Sequence, residues 1–153
     1  PLAATVSKRA FVETFRETGY FNTFASSPLQ AAVGLAVIDI IEEENLATNA
    51  SVVGSYLKSE LKSYQQNYEV MGDVRGHGLF IAVDCIKANS NREPDREMAV
   101  RIVESLKERG FLTGVAGSEG NVVKIRPPLV FGQKDAENFL EAFKDCLRRL
   151  QGA

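Results

Sequence analysis

The sequence predicts an α/β layer: a small, mostly antiparallel sheet with helices packed on it. Three observations lead there. Leu46, Ala50, Val53, Leu57, Leu61 and Tyr64 recur at helical spacing. Leu79 to Cys85 and Val122 to Arg126 are apolar runs of strand length bounded by turn residues. Ala136, Phe139, Leu140, Phe143, Leu147 and Leu150 then form a clean amphipathic pattern near the end. With 153 residues, 44% of them hydrophobic and 25% charged, the chain has enough material for one core.

Taken in order, Leu2 to Val6 reads as a strand and Ser7 to Thr18 as a short helix carrying Ala10, Phe11 and Phe15. One strand and one short helix enclose no core, and the chain opens on Pro1 rather than methionine. A piece of a longer protein is therefore expected. The next stretch, TGYFNTFASSPLQAAVGLAVIDIIEEE, is the most informative. A polar, aromatic loop passes through Pro28 into a long apolar helix. Ser26 and Ser27 suit the N-cap, Pro28 suits the first turn where its missing N–H costs nothing, and Glu42 to Glu44 mark the far end. Leu29, Ala32, Val33, Ala36, Val37, Ile40 and Ile41 give that helix a broad apolar face, so it is expected to be largely buried. Hydroxyls and N–H groups gathered at a helix start suit an anion, phosphate above all. The same residue types also serve an ordinary capped helix.

A second long helix is expected from Leu46 to Gln66, followed by a short extended segment from Tyr68 to Val74. Arg75-Gly76-His77-Gly78 should bend the chain, its glycines permitting a tight turn or bulge. The unbroken apolar character of Leu79 to Cys85 predicts a strand covered on both faces. A polar loop, Asn89 to Pro94, leads into a helix from Asp95 to Arg109 that Gly110 should stop. Phe111 to Val115 and Val122 to Arg126 should pair as a hairpin around Gly117 to Gly120, with Pro127-Pro128 ending the second strand before a last helix from Asp135 to Leu150.

Composition narrows the function. The net charge is −2 with no basic stripe, which gives nucleic-acid binding little support. Cys85 and Cys146 sit in apolar segments beside a single histidine, so buried free thiols are expected rather than a metal site, in keeping with a reducing, cytoplasmic setting. The run from Leu29 to Ile41 is too short for a membrane span and carries Gln30 and Asp39.

Four segments in this order, PLAATVSKRAFVETF, YFNTFASSP, MGDVRGHGLFIAV and NVVKIRPPLVF, resemble the C-terminal part of the class III pyridoxal-phosphate-dependent aminotransferases, from Pro1 almost to Leu150. The resemblance implies the C-terminal domain of a fold-type-I enzyme. Residues 1–27 would be a remnant of the large cofactor-binding domain, 28–45 a linking helix and 46–153 the small domain. In the family a Gly-Asn-Gly-x-Pro-like segment follows the Schiff-base lysine, and Pro1 resembles its proline. That lysine is then expected upstream of Pro1, with no catalytic residue inside this chain and no activity from it alone. Lys8 does not match the family's lysine motif.

Thr23 matches the threonine of the family's Thr-Phe-Gly-Gly-Asn-Pro loop, which reaches across a dimer interface to hold the phosphate of pyridoxal 5'-phosphate. Here Ala25-Ser26-Ser27 replaces Gly-Gly-Asn, keeping small residues but losing backbone freedom. Tyr20 and Asn22 would line the same site or serve packing and turn capping. In the family's Arg-x-Ala-Pro-Pro run the arginine binds the substrate carboxylate. Lys124 stands at that position and Arg126 at the alanine. Residues two apart on a strand share a face, so both cations would serve one anion. The departure matters because an ammonium lacks the guanidinium's bidentate fork, and a lysine-bearing run is similar to the phospho-lyases of the same family. A solvated strand end is the plainer alternative for Lys124.

What the resemblance implies is a homodimeric enzyme passing an amino group between an amine or amino acid and a keto acid. β-Elimination of phosphate from a phosphorylated amino alcohol is the alternative on the same scaffold. Without the resemblance, the pattern also fits a non-catalytic α/β module binding a small ligand. Asp73 and Arg75 are expected to pair with each other or with another element, and His77 to be exposed at a turn.

Overall fold

The computed structural model describes residues 2–25 and 27–151, and the expectations for Pro1 and Ser26 lie outside them. The chain divides into two compact units, Pro1–Asn45 and Leu46–Ala153.

The first unit holds helix α1 (Arg9–Arg16) and helix α2 (Pro28–Glu43). Leu2 to Val6 is not a strand. Among the described residues the unit offers no second strand, and a lone strand leaves its backbone donors and acceptors without partners. Helix α2 begins as expected, with Pro28 in the first turn and Ser27 at the N-cap, but the Ser27 hydroxyl makes no capping bond. Its expected burial is overturned: no residue of α2 is buried, and Leu29 and Val33 are 75% and 57% exposed. The physical reason is supply. One short helix and an extended segment are too little chain to cover a helix that is apolar nearly all round.

The second unit runs α3 (Leu46–Gln65), β1 (Met71–His77), β2 (Phe80–Cys85), α4 (Arg96–Lys107), β3 (Gly114–Ala116), β4 (Val122–Ile125) and α5 (Gln133–Gln151). Its four-stranded sheet has the order β1-β2-β4-β3, and every neighbouring pair is antiparallel. The main core lies between the helices and the sheet, with a smaller cluster of Ala50, Val53, Leu79 and Ala136 beside it. Leu57 and Leu61 of α3, Ile102 and Leu106 of α4, and Phe143 and Leu147 of α5 close over Val74, Ile81, Val83 and Val123 of the sheet. Asp95 caps α4, accepting the Met98 N–H at 2.9 Å.

Two expectations are corrected here. Arg75 to His77 belong to β1 itself, and the turn falls at Gly78 and Leu79. The irregularity in the β1–β2 ladder lies earlier, between Met71 and Asp73. Strand β2 is not covered on both faces: Ile81, Val83 and Cys85 are fully buried while Phe80, Ala82 and Asp84, on the other face, are not. Side chains alternate along a strand, and the core residues of all three helices gather on one side of the sheet.

Glycine is required at two places. Gly76 has φ +140°, and a Cβ there would lie 2.1 Å from the Phe80 carbonyl oxygen. Gly54, in the middle of α3, faces the hairpin turn so closely that a Cβ would lie 2.1 Å from the Gly78 oxygen. Helix α3 therefore rests directly on the β1–β2 turn.

Cys85 and Cys146 are free and buried, as the sequence predicts. Burial, reinforced by Asp95 and Asp84, pushes the Cys85 thiol up to about 12, so it stays protonated and acts as a packing residue rather than a nucleophile. Among the described residues no helix is long and apolar enough to cross a membrane, and no cluster of side chains suits a metal ion.

Candidate functional site

The alternation that buries one side of the sheet leaves the other open. Strand register sets out that open face in rows. One row holds Arg75, Ala82, Lys124 and Gly114 across the four strands, the next holds Asp73, Asp84, Val122 and Ala116, and His77 pairs with Phe80 at the other end. Lys124 thus stands in mid-strand between alanine and glycine, and a Cβ placed at Gly114 would meet nothing within 4 Å. Its neighbours on both sides thus carry little or no side chain.

Arg75 is occupied. Its Nη1 lies 2.7 Å from Asp84 and 3.1 Å from Asp73, so the expected Asp73 pairing is present with a second carboxylate added from β2. The hydrogen bonds to Asp84 and then Asp73 hold the guanidinium still further above its ordinary value. Lys124 and Arg126 differ: among the described residues neither joins a salt bridge. The open face therefore presents two positive charges without a carboxylate of their own. His77 is exposed at the end of β1.

Two features around Arg126 are absent from the sequence reading. Its guanidinium sits over the Phe80 ring, 5.9 Å from the centroid. The loop that follows is held by Asn49, whose Nδ2 donates to the carbonyls of Leu129 at 2.8 Å and Phe131 at 3.1 Å. Asn49 is 80 residues from Leu129 and sits in the first turn of α3, so only tertiary structure brings them together.

Thr23 belongs to the first unit and is described within it. It lies exposed in a turn shaped by Asn22, whose Oδ1 accepts the Phe24 N–H at 2.8 Å and whose Nδ2 donates to the Tyr20 hydroxyl at 3.0 Å. The Tyr20 ring packs 5.3 Å from Phe15. Asn22 and Tyr20 thus cap and brace the turn. Asn22, Phe24, Ala25 and Ser27 border a groove of about 480 Å³ at the start of α2.

This is a two-layer α/β domain whose open sheet face carries Lys124 and Arg126, joined in sequence to a hydroxyl-bearing loop before a helix N-terminus. The profile of the class III aminotransferases matches residues 1–147, and the chain belongs to that family. It is 39% identical over 150 residues to alanine–glyoxylate aminotransferase 2 homolog 2, mitochondrial, of Arabidopsis thaliana, covering 98% of this chain and 31% of the relative. It is 33% identical over 149 residues to ethanolamine-phosphate phospho-lyase homolog 1 of Caenorhabditis elegans, covering 96% and 32% respectively. A solved structure of an Arthrobacter phospholyase in complex with phosphoethanolamine matches with a TM-score of 0.83 and 36% identity, over 90% of this chain and 33% of that one. The small α/β domain is therefore the C-terminal architecture of fold-type-I pyridoxal-phosphate transferases. The chain spans about a third of the length of the curated relatives it matches.

Family membership implies pyridoxal 5'-phosphate as cofactor. The residues present fit its phosphate. Thr23 offers an exposed hydroxyl, and Ser27 at the start of α2 offers another that is not spent on capping.

Proposed function

We propose that this chain is the C-terminal part of a homodimeric pyridoxal-phosphate enzyme that transfers an amino group between an amine or amino acid and a keto acid. On this reading residues 1–27 belong to the large domain, 28–45 link the domains and 46–153 form the small one. The lysine that anchors the cofactor belongs to sequence ahead of Pro1, and this piece by itself is inactive. Helix α2, apolar nearly all round and without a buried residue, supports that division, since such a helix needs cover from elsewhere.

The observation that carries the reading is the uncompensated pair Lys124 and Arg126 on the open sheet face. Lys124 binds a substrate carboxylate as a point charge, and Arg126 adds directional N–H donors. Thr23 donates its hydroxyl to the cofactor phosphate, reaching the partner subunit's site as the family loop does. When bound, the cofactor supplies the electron sink for cleavage at the substrate's α-carbon. This chain's residues hold the anionic ends in place, which restricts the geometry in which the distant lysine meets the substrate.

A second reading has an observation of its own. Two separate cations, where the family more often has one guanidinium, match a phosphate dianion better than a carboxylate. Elimination of phosphate from a phosphorylated amino alcohol would use that charge. Product analysis of the full-length protein supplied with pyridoxal phosphate separates the readings. With an amino acid and a keto acid, formation of a new amino acid supports transamination. Release of inorganic phosphate from phosphoethanolamine, without amino transfer, would replace it by the lyase reading. Neither product would refute both.

A further inference from the structure

Phe80 is large, apolar and 56% exposed on the open sheet face, at the end of β2 where the core begins on the opposite side. Nothing in the hydrophobic core explains an aromatic there. Arg126 meets it there, its Cζ lying over the ring 5.9 Å from the centroid. The strand register accounts for the meeting: Ile81 pairs with Ile125, so the preceding residue on β2 and the following residue on the β4 path come side by side on the outer face.

A guanidinium held over a ring spends its face on that contact and keeps its N–H edge for hydrogen bonds. The backbone of Arg126 is restrained as well. Pro127 follows it and confines it to extended conformations, and Asn49 ties down the loop just beyond. With main chain and side chain both restrained, Arg126 loses little further freedom when an anion arrives.

We propose that Phe80 is a positioning residue for recognition of the substrate anion, acting through Arg126. The inference rests on the assignment of Arg126 to substrate binding made above. It adds a residue whose own chemistry is neither charged nor polar.

Steady-state kinetics of the full-length enzyme test it, using Phe80→Leu, Phe80→Tyr, Arg126→Ala and the Phe80→Leu/Arg126→Ala double variant, each checked by thermal melting. Phe80→Leu should raise KM for the anionic substrate about two- to fivefold at unchanged kcat, the size expected of an exposed cation–π contact. Phe80→Tyr should restore the wild-type KM, and Phe80→Leu should add nothing in the Arg126→Ala background. An unchanged KM in Phe80→Leu, with a raised KM in Arg126→Ala, overturns the inference while leaving the binding assignment standing. An equal effect of Phe80→Leu with and without Arg126 also overturns it. An Arg126→Ala enzyme with wild-type KM removes the assignment itself, and the inference with it.

Discussion

Gly76→Ala should be among the most damaging single-methyl additions in this protein, costing about 3 kcal/mol or more. Two effects combine. At φ +140° a side chain is strained whatever the space around it, and the new Cβ would lie 2.1 Å from the Phe80 carbonyl oxygen. That oxygen is backbone, so it yields only if the hairpin deforms. The Gly76 carbonyl also accepts the Lys58 ammonium at 2.9 Å, tying α3 to the same spot. Relief of the clash would shift the pairing of His77 with Phe80 and carry Phe80 away from Arg126. Urea unfolding should show a lower midpoint, and thermal melting a fall of roughly 6–12 °C, at about 2–4 °C per kcal/mol for a chain of this size. A wild-type midpoint would mean that the β1–β2 turn is softer than its geometry indicates.

Removing the two cations of the open sheet face that join no salt bridge should act on function instead. Lys124 and Arg126 lie on the exposed side of the sheet, away from the buried residues Val123 and Ile125. The double variant Lys124→Ala/Arg126→Ala should therefore fold with nearly unchanged stability. Charge-assisted hydrogen bonds contribute about 1.5–3 kcal/mol each. Loss of both should raise KM for the anionic substrate of the full-length enzyme about a hundredfold or more, with a smaller effect from either single change. Added salt should raise the wild-type KM and have less effect on the double variant, because screening acts on the charges that were removed. Unchanged KM values would place the substrate anion elsewhere.

The helices of the second unit were legible because local pattern and tertiary environment agree there, whereas the expected strand Phe111 to Val115 is only Gly114–Ala116. Leu57, Leu61, Phe139 and Phe143 fall at helical spacing and all face one core. Strand β2 misled because Ala82 is small and Phe80 apolar, so its outer side did not advertise itself as polar. The burial of α2 was inferred from composition, which states what a helix needs and not what is present to meet it. Leu2 to Val6 had strand-like residues but no neighbouring edge, and β propensity without a partner makes no strand.

For the candidate site, residue types and the spacing of Lys124 and Arg126 were enough to place both on one face. The resemblance marked Thr23. What sequence could not supply was contact across the fold. The Phe80 to Arg126 approach depends on the β2–β4 register, and the Asn49 clamp spans 80 residues. The neutralisation of Arg75 by Asp84, which leaves Lys124 and Arg126 as the cations of the open sheet face without a salt bridge, follows from the same register.

The central claim is that this chain supplies a phosphate-binding hydroxyl to a pyridoxal-phosphate enzyme. It is tested most directly by titrating the full-length protein, wild type and Thr23→Val, with pyridoxal phosphate and following the visible absorbance of the bound cofactor. The account predicts saturable binding by the wild type and an affinity about tenfold or more weaker in Thr23→Val, the loss of one hydrogen bond to a charged group. Failure of the wild-type protein to take up the cofactor, or equal affinity in the two proteins, would contradict it.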